Sequence, residues 1–274
     1  MFDRFLSTLA LVSRIKVKLP YSFDPSRMDF YLPVAGIFPA VLGGLGFLLG
    51  YRFIDQGPVT VILVLIVQYL SFNLFHLDGL ADTADAFLGA FDREKRKAIL
   101  KDSRLGVYGF FAAFFVLALK IALLQGLFPL ILRFPAAVLA YPISGRLSAA
   151  LIPAMSPPMS PQGLGALAKD SRLWRAVAGG LSALALWAAL VYGGIGLSTF
   201  LGGPLPSPAP SLPGMVLWAL PLVSPLPSRI LAGLYGKHLG GYTGDALGAA
   251  VELGELLHLG AAFAFMRVFV EYRI

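Results

Sequence analysis

The sequence predicts an all-α, polytopic membrane bundle of about seven spans (six to eight), preceded by an amphipathic helix lying in the interface. Three observations carry this. Of the 274 residues, 57% are hydrophobic and 14% charged, against about 25% charged in a typical soluble domain. Several apolar stretches reach the length of about 20 residues that a bilayer core requires. Basic residues gather in alternate connections between those stretches, as topology demands. Residues 1–274 read as one membrane-embedded domain, with 1–30 as its interfacial segment.

Taken in order, residues 1–19 place Phe2, Phe5, Leu6, Leu9 and Val12 at helical spacing among basic side chains. This is the pattern of a helix in the membrane plane. Arg14, Lys16 and Lys18 interrupt it, which argues against a cleavable signal peptide. Spans are expected near 31–53, 58–76, 105–126, 128–152, 173–197, 213–233 and 246–269. Pro221, Pro225 and Pro227 should kink or break the sixth. PAMSPPMSPQG (153–163) reads either as a cover over a site or as a linker. KDSRL occurs at 101–105 and again at 169–173, but the flanks differ and no repeat is inferred.

With these spans, sixteen of the 22 basic residues fall on one side, in segments 1–30, 77–104, 153–175 and 229–245. The opposite connections are poor in charge, and the 198–212 stretch has none. The net charge of +7 is therefore a topology signal rather than a nucleic-acid footprint. The expected setting is the plasma (cytoplasmic) membrane, with the N-terminus and residues 77–104 facing the cytoplasm. The absence of cysteine excludes disulfides, thiolate metal sites and cysteine nucleophiles.

The chemistry gathers in acidic stretches at that same side. In HLDGLADTADA (76–86), Asp78, Asp82 and Asp85 lie within about 60° of one another on a helix. Three such carboxylates cannot all remain ionised without a countercharge. A hard divalent cation, Mg²⁺ or Mn²⁺, one ion or two, takes oxygen ligands and shares itself with substrate phosphates. The small apolar residues between them mark a helix packed inside protein rather than a water-marking loop. His76 either reaches this site, through a turn at Gly79, or caps the span end. GGYTGDALGAAVELGELLHLG (240–260) adds Asp245, Glu252 and Glu255 on roughly one face, with Gly248 and Gly254 permitting close helix approach. Glu252 and Glu255 read either as ligands completing a two-metal cluster or as partners of Lys120 or Arg146 inside the bundle. Arg146, costly in mid-span unless paired, takes either a substrate phosphate or Glu252.

Between them lies KDSRLGVYG (101–109). Lys101 and Arg104 are candidate phosphate clamps, and Asp102 either orients the arginine or joins the metal. Gly106 and Gly109 at a helix entrance offer backbone N–H groups to an anion. A plain helix start, with Asp102 or Ser103 as N-cap, reads equally well from these residues.

The order and spacing of FHLDGLADTADA, KDSRLGVYG and GGYTGDALGAAVELGE resemble those of the cobalamin synthase family, the adenosylcobinamide-GDP ribazoletransferases, over residues 30 to 260. The resemblance departs at Asn73, Leu74 and Ala86, where glycine is frequent in that family. It implies a Mg²⁺-dependent membrane enzyme that joins adenosylcobinamide-GDP to α-ribazole, or its 5′-phosphate, and releases GMP. It further implies metal at Asp78, Asp82, Asp85, Asp245, Glu252 and Glu255. Asp82, His76 and Glu252 become candidates for catalysis. Substrate contacts are expected from Lys101, Asp102, Ser103, Arg104, Gly106, Arg146 and Thr243. Expected partners are those two substrates and the lipid bilayer; a homo-oligomer is compatible with the pattern. Two rival readings are a CDP-alcohol phosphotransferase, whose longer motif does not align here, and a cation- or proton-coupled transporter, which would place its acids nearer mid-bilayer.

Overall fold

The computed structural model describes residues 1–14, 16, 21–54, 57–200 and 216–269. Among these the chain is mostly helical and forms no β-strand, and six helical stretches are long and apolar enough to cross a membrane: Met28–Phe53, Pro58–Gly89, Val107–Gly126, Pro135–Ala154, Leu173–Gly196 and Gly244–Val268. An all-α membrane bundle is what the apolar stretches predict.

The N-terminal helix α1 (Phe2–Val12) buries Leu6, Leu9 and Val12 and leaves Phe2 exposed. It rests on α2 (Met28–Ala35), which continues after Gly36 into α3 (Ile37–Phe53). Arg4 ties the start of α1 to Asp24 at 2.8 Å. Just past its end, the Arg14 N–H donates to the Ser71 carbonyl at 2.9 Å.

Helix α4 (Pro58–Gln68) runs through a π-turn (Tyr69–Asn73) into α5 (Leu74–Gly89) without interruption. Together they form 32 residues, about 48 Å long at 1.5 Å per residue, well beyond the roughly 30 Å of a hydrocarbon core. The helix therefore does not stop at residue 76, where the span was expected to end. HLDGLADTADA continues it beyond the length a hydrocarbon core takes, packed on the last described helix. After α6 (Arg93–Ile99) come α7 (Val107–Gly126), the short α8 (Phe128–Arg133) and α9 (Pro135–Val138), and α10 (Tyr141–Leu151). The Pro135–Ala154 stretch is the bundle's axis, 89% buried across its most apolar window. Helix α11 (Leu173–Phe200) follows, capped by Asp29 of α2, which accepts from the Arg172 N–H at 2.7 Å and Arg175 Nε at 2.9 Å.

The span expected at 213–233 does not form as one helix over its described part. A 3₁₀ turn at Leu220–Val223 precedes α12 (Pro225–Leu239), which has 15 residues. Proline lacks the N–H a helix interior needs and is best placed in a first turn. Pro221 and Pro225 each open a new element instead. From residue 201 onward the uncharged 198–212 connection lies outside the described residues, as do 213–215. The last helix, α13 (Gly244–Phe269), packs most heavily on α10 and α5.

Candidate functional site

Helices α5 and α13 cross at a pair of glycines. A Cβ on Gly79 would stand 3.0 Å from the Cα and carbonyl oxygen of Asp245, and one on Gly248 would stand 3.0 Å from the carbonyl oxygen of His76. A side chain at either place would be packed more tightly than almost any real Cβ contact, so the two backbones lie against one another, running antiparallel. The crossing brings Asp78 and Asp82 of α5 to Asp245 in the first turn of α13. Asp78 is exposed, while Asp82 and Asp245 are half-buried. Asp78, Asp245 and Asp85 all act on Asp82 as like charges. Among the described residues none of these four carboxylates forms an ion pair. The Thr243 hydroxyl donates to Asp245 Oδ2 at 3.1 Å.

A cavity of about 190 Å³ adjoins Asp245. Thr243 and Tyr242 line it from the segment before α13, Lys97 and Lys101 from the end of α6 and beyond, and Pro158 and Met159 from the proline-rich loop. That loop is latched down: Met159 N–H donates to the Tyr242 carbonyl at 2.8 Å, and Tyr242 N–H to that of Pro157 at 2.9 Å. The 153–163 stretch is therefore a wall of the cavity and not a bare linker.

Asp85 has another task. Its two carboxylate oxygens accept the N–H groups of Gly106 and Gly109, each at 2.8 Å. The anion seat expected at this helix entrance is filled from within the chain: Asp85 caps α7, where backbone donors and the helix dipole favour negative charge. A Cβ on Gly106 would come within 2.7 Å of the Asp85 carboxyl carbon, so glycine admits the carboxylate. The Gly106 N–H is accordingly not open to a substrate, and Asp85 is not an unengaged ligand beside Asp82.

Glu252 and Glu255 lie about 10 and 15 Å further along α13 than Asp245, at 1.5 Å per residue. There they are paired inside the bundle. Lys120 Nζ of α7 donates to Glu252 Oε2 at 2.7 Å and Glu255 Oε2 at 2.6 Å. Arg146 of α10 reaches Glu255 Oε1 at 3.2 Å and the Asn73 amide oxygen at 2.8 Å. From the π-turn, Tyr69 Oη donates to Glu252 at 2.6 Å and Asn73 Nδ2 to both oxygens of Glu255 at 3.1 Å. Two cations and two carboxylates, all buried, balance one another. Of the alternatives left by the sequence, the internal ion pair is the one found for both glutamates; Arg146 is paired too, but with Glu255 rather than the expected Glu252. His76 lies between the two centres. It is buried against Phe75, with ring centroids 4.0 Å apart, and among the described residues its Nδ1 has no hydrogen-bond partner.

Lys101, Ser103 and Arg104 are exposed. Asp102 grips Arg104, with Nη2 to Oδ2 at 2.6 Å. Those hydrogen bonds hold the Asp102 carboxyl below the ordinary carboxylate range. Asp102 thus orients the arginine. Among the described residues, no three His, Asp or Glu side chains converge closely enough to cage a metal ion.

Comparison with known proteins now decides the family. A model of cobalamin-5-phosphate synthase matches residues 4–263. The chain belongs to the cobalamin-5-phosphate synthase family. It is a transferase of cobalamin biosynthesis, embedded in a membrane. A Shewanella amazonensis protein, adenosylcobinamide-GDP ribazoletransferase, is 31% identical over 271 residues, covering 93% of this chain and 92% of that one. A Citrobacter koseri protein of the same name is 32% identical over 264 residues, covering 94% and 98%. No solved structure matches the chain.

Within this cobalamin synthase family member, sequence reasoning missed Lys97, Tyr242, Tyr69 and Asn73. Tyr242, in GGYTG, carried a signal: an aromatic ring between glycines at a helix entrance has backbone room to wedge under a loop. Tyr69 and Asn73 carried none, because the π-turn that aims both at α13 leaves no mark in the apolar pattern.

Proposed function

We propose that this chain joins a GDP-activated cobinamide to α-ribazole, or to its 5′-phosphate, releasing GMP, with Mg²⁺ (or Mn²⁺) as cofactor. One observation carries the reading. Asp78 and Asp245, carried by two touching helices, act on Asp82 as like charges, none of the three has an ion pair among the described residues, and Asp245 adjoins a cavity walled by two lysines. Unpaired oxygen donors next to ammonium groups suit a dication and the phosphates that share it. Mg²⁺ usually binds through one or two carboxylates, with water and substrate phosphate completing its shell.

Asp78, Asp82 and Asp245 would hold the ion or ions. When bound, Mg²⁺ neutralises charge on the phosphates and stabilises the leaving oxygen. Lys101 and Lys97 hold phosphate oxygens, and Arg104, oriented by Asp102, meets the substrate from the surface. In the reaction the ribose 3′-oxygen of the acceptor bonds to the phosphorus bearing the aminopropanol arm. The bond from that phosphorus to the bridging oxygen breaks, and GMP leaves. The hydroxyl proton passes to a carboxylate, for which half-buried Asp82 is best placed. Such transfers need alignment and charge neutralisation more than covalent help from the protein.

The excess of basic residues in segments 1–30, 77–104, 153–175 and 229–245 supports a cytoplasmic position for this end of the bundle. The test is GMP release by purified protein in lipid nanodiscs, given GDP-activated adenosylcobinamide. Release that requires both α-ribazole (or its 5′-phosphate) and Mg²⁺ supports the reading; release without an acceptor, or none with either, overturns it.

A further inference from the structure

The cavity beside Asp245 has walls of three kinds, which bear on the two heterocycles that the proposed reaction brings together. Tyr242, Pro158, Met159 and Leu100 give it apolar surface. Tyr242 is held in place, because its hydroxyl donates to the Gly165 carbonyl at 2.7 Å and the ring is 1% exposed. Ser160 and Gln162 supply neutral polar groups, and Lys97 and Lys101 supply charge. The Gln162 N–H donates to Ser160 Oγ at 3.2 Å, which folds the loop tip. Among the described residues the Gln162 side-chain amide has no partner.

We propose that this cavity seats the guanine nucleotide portion of the substrate and, after transfer, GMP; the assignment rests on the function proposed above. The dimethylbenzimidazole of α-ribazole has no exocyclic donor or acceptor. Its one free ring nitrogen accepts a single bond, so covering Ser160 and Gln162 with it would strip their water and leave most of their donors and acceptors unmet, and such unpaired polar groups are what allow a site to reject a ligand. Guanine presents a carbonyl oxygen, a ring N–H and an amino group, which an amide and a hydroxyl can match. The lysines then meet the phosphates of the same ligand, with the phosphorus under attack towards Asp245. A volume of about 190 Å³ suits one bicyclic base and excludes a corrin.

Equilibrium dialysis of labelled GMP against the full chain in nanodiscs, with Mg²⁺ present, tests this. GMP is expected to bind at least about tenfold more tightly than AMP, in keeping with a site built to hydrogen-bond its ligand, and α-ribazole should not displace it. Gln162→Ala should erase most of the preference for GMP over AMP. Lys101→Ala should weaken both by about tenfold, the scale of a charge-assisted contact. Both side chains are exposed, so neither change threatens the fold. GMP binding unaltered in the two variants, or competitive displacement by α-ribazole, overturns the assignment. Turnover separates this from the parent reading. GMP release that persists with unchanged nucleotide preference in both variants removes the guanine site and leaves the reaction. Nucleotide binding that tracks the variants in a chain without turnover removes the reaction and leaves the site.

Discussion

Gly79 of α5 lies directly against the backbone of Asp245 of α13, so close that even a methyl group on Gly79 would stand 3.0 Å from two Asp245 atoms. This contact, with its companion at Gly248, sets the separation of the carboxylates on the two helices. Valine at either glycine must push the helices apart. Overpacking of this kind costs about 1–3 kcal/mol, and a shift of about 1 Å in reacting groups can lower a rate by about 100-fold. Gly79→Val and Gly248→Val are expected to stay folded by size-exclusion chromatography and to lose GMP release by about that factor.

Asp85 separates from its neighbours by role. It caps α7 through Gly106 and Gly109, so Asp85→Ala should lower unfolding free energy by about 1–2 kcal/mol, as loss of a helix cap does. The Mg²⁺ concentration for half-maximal activity should change far less in Asp85→Ala than in Asp82→Asn, since Asp85 spends both oxygens on the α7 cap and bears on the site only as a like charge beside Asp82. A titration of activity against Mg²⁺, alongside thermal unfolding, reads both.

The buried quartet of Lys120, Arg146, Glu252 and Glu255 gives a charge-balance prediction. Lys120→Met strands carboxylates in the bundle and should destabilise by about 3–5 kcal/mol. Adding Glu252→Gln to that variant restores neutrality, because Arg146 still meets Glu255, and should recover more than half of the loss. Unfolding in detergent of the two variants and of Glu252→Gln alone completes the cycle.

The bundle was legible because apolar length is a strong signal, and the six spans follow it. The break at 213–233 was legible too, since proline punctuates helices through a missing donor. The continuation of α4 through residue 76 was not. It depends on α13 covering the polar turn, a contact between residues 170 positions apart that local pattern does not contain. At the site, the two stripes, Asp78, Asp82 and Asp85 on one helix and Asp245, Glu252 and Glu255 on another, were readable as charge that needed an answer. The assignments of Asp85, Glu252 and Glu255 to the same cluster came from face alone. Spacing places carboxylates on one side of a helix but does not say which neighbour meets each of them. Here that is decided by Gly106 and Gly109, and by Lys120 and Arg146. The family match removes the CDP-alcohol phosphotransferase and transporter readings.

The most direct test of the account is a double-mutant cycle on Mg²⁺-dependent GMP release with Asp82→Asn, Asp245→Asn and the pair. If one centre is built from both helices, each single change removes nearly all activity, and the double is scarcely worse than either. Independent, multiplicative losses, or wild-type Mg²⁺ response in either single variant, would contradict a shared centre at the α5–α13 crossing.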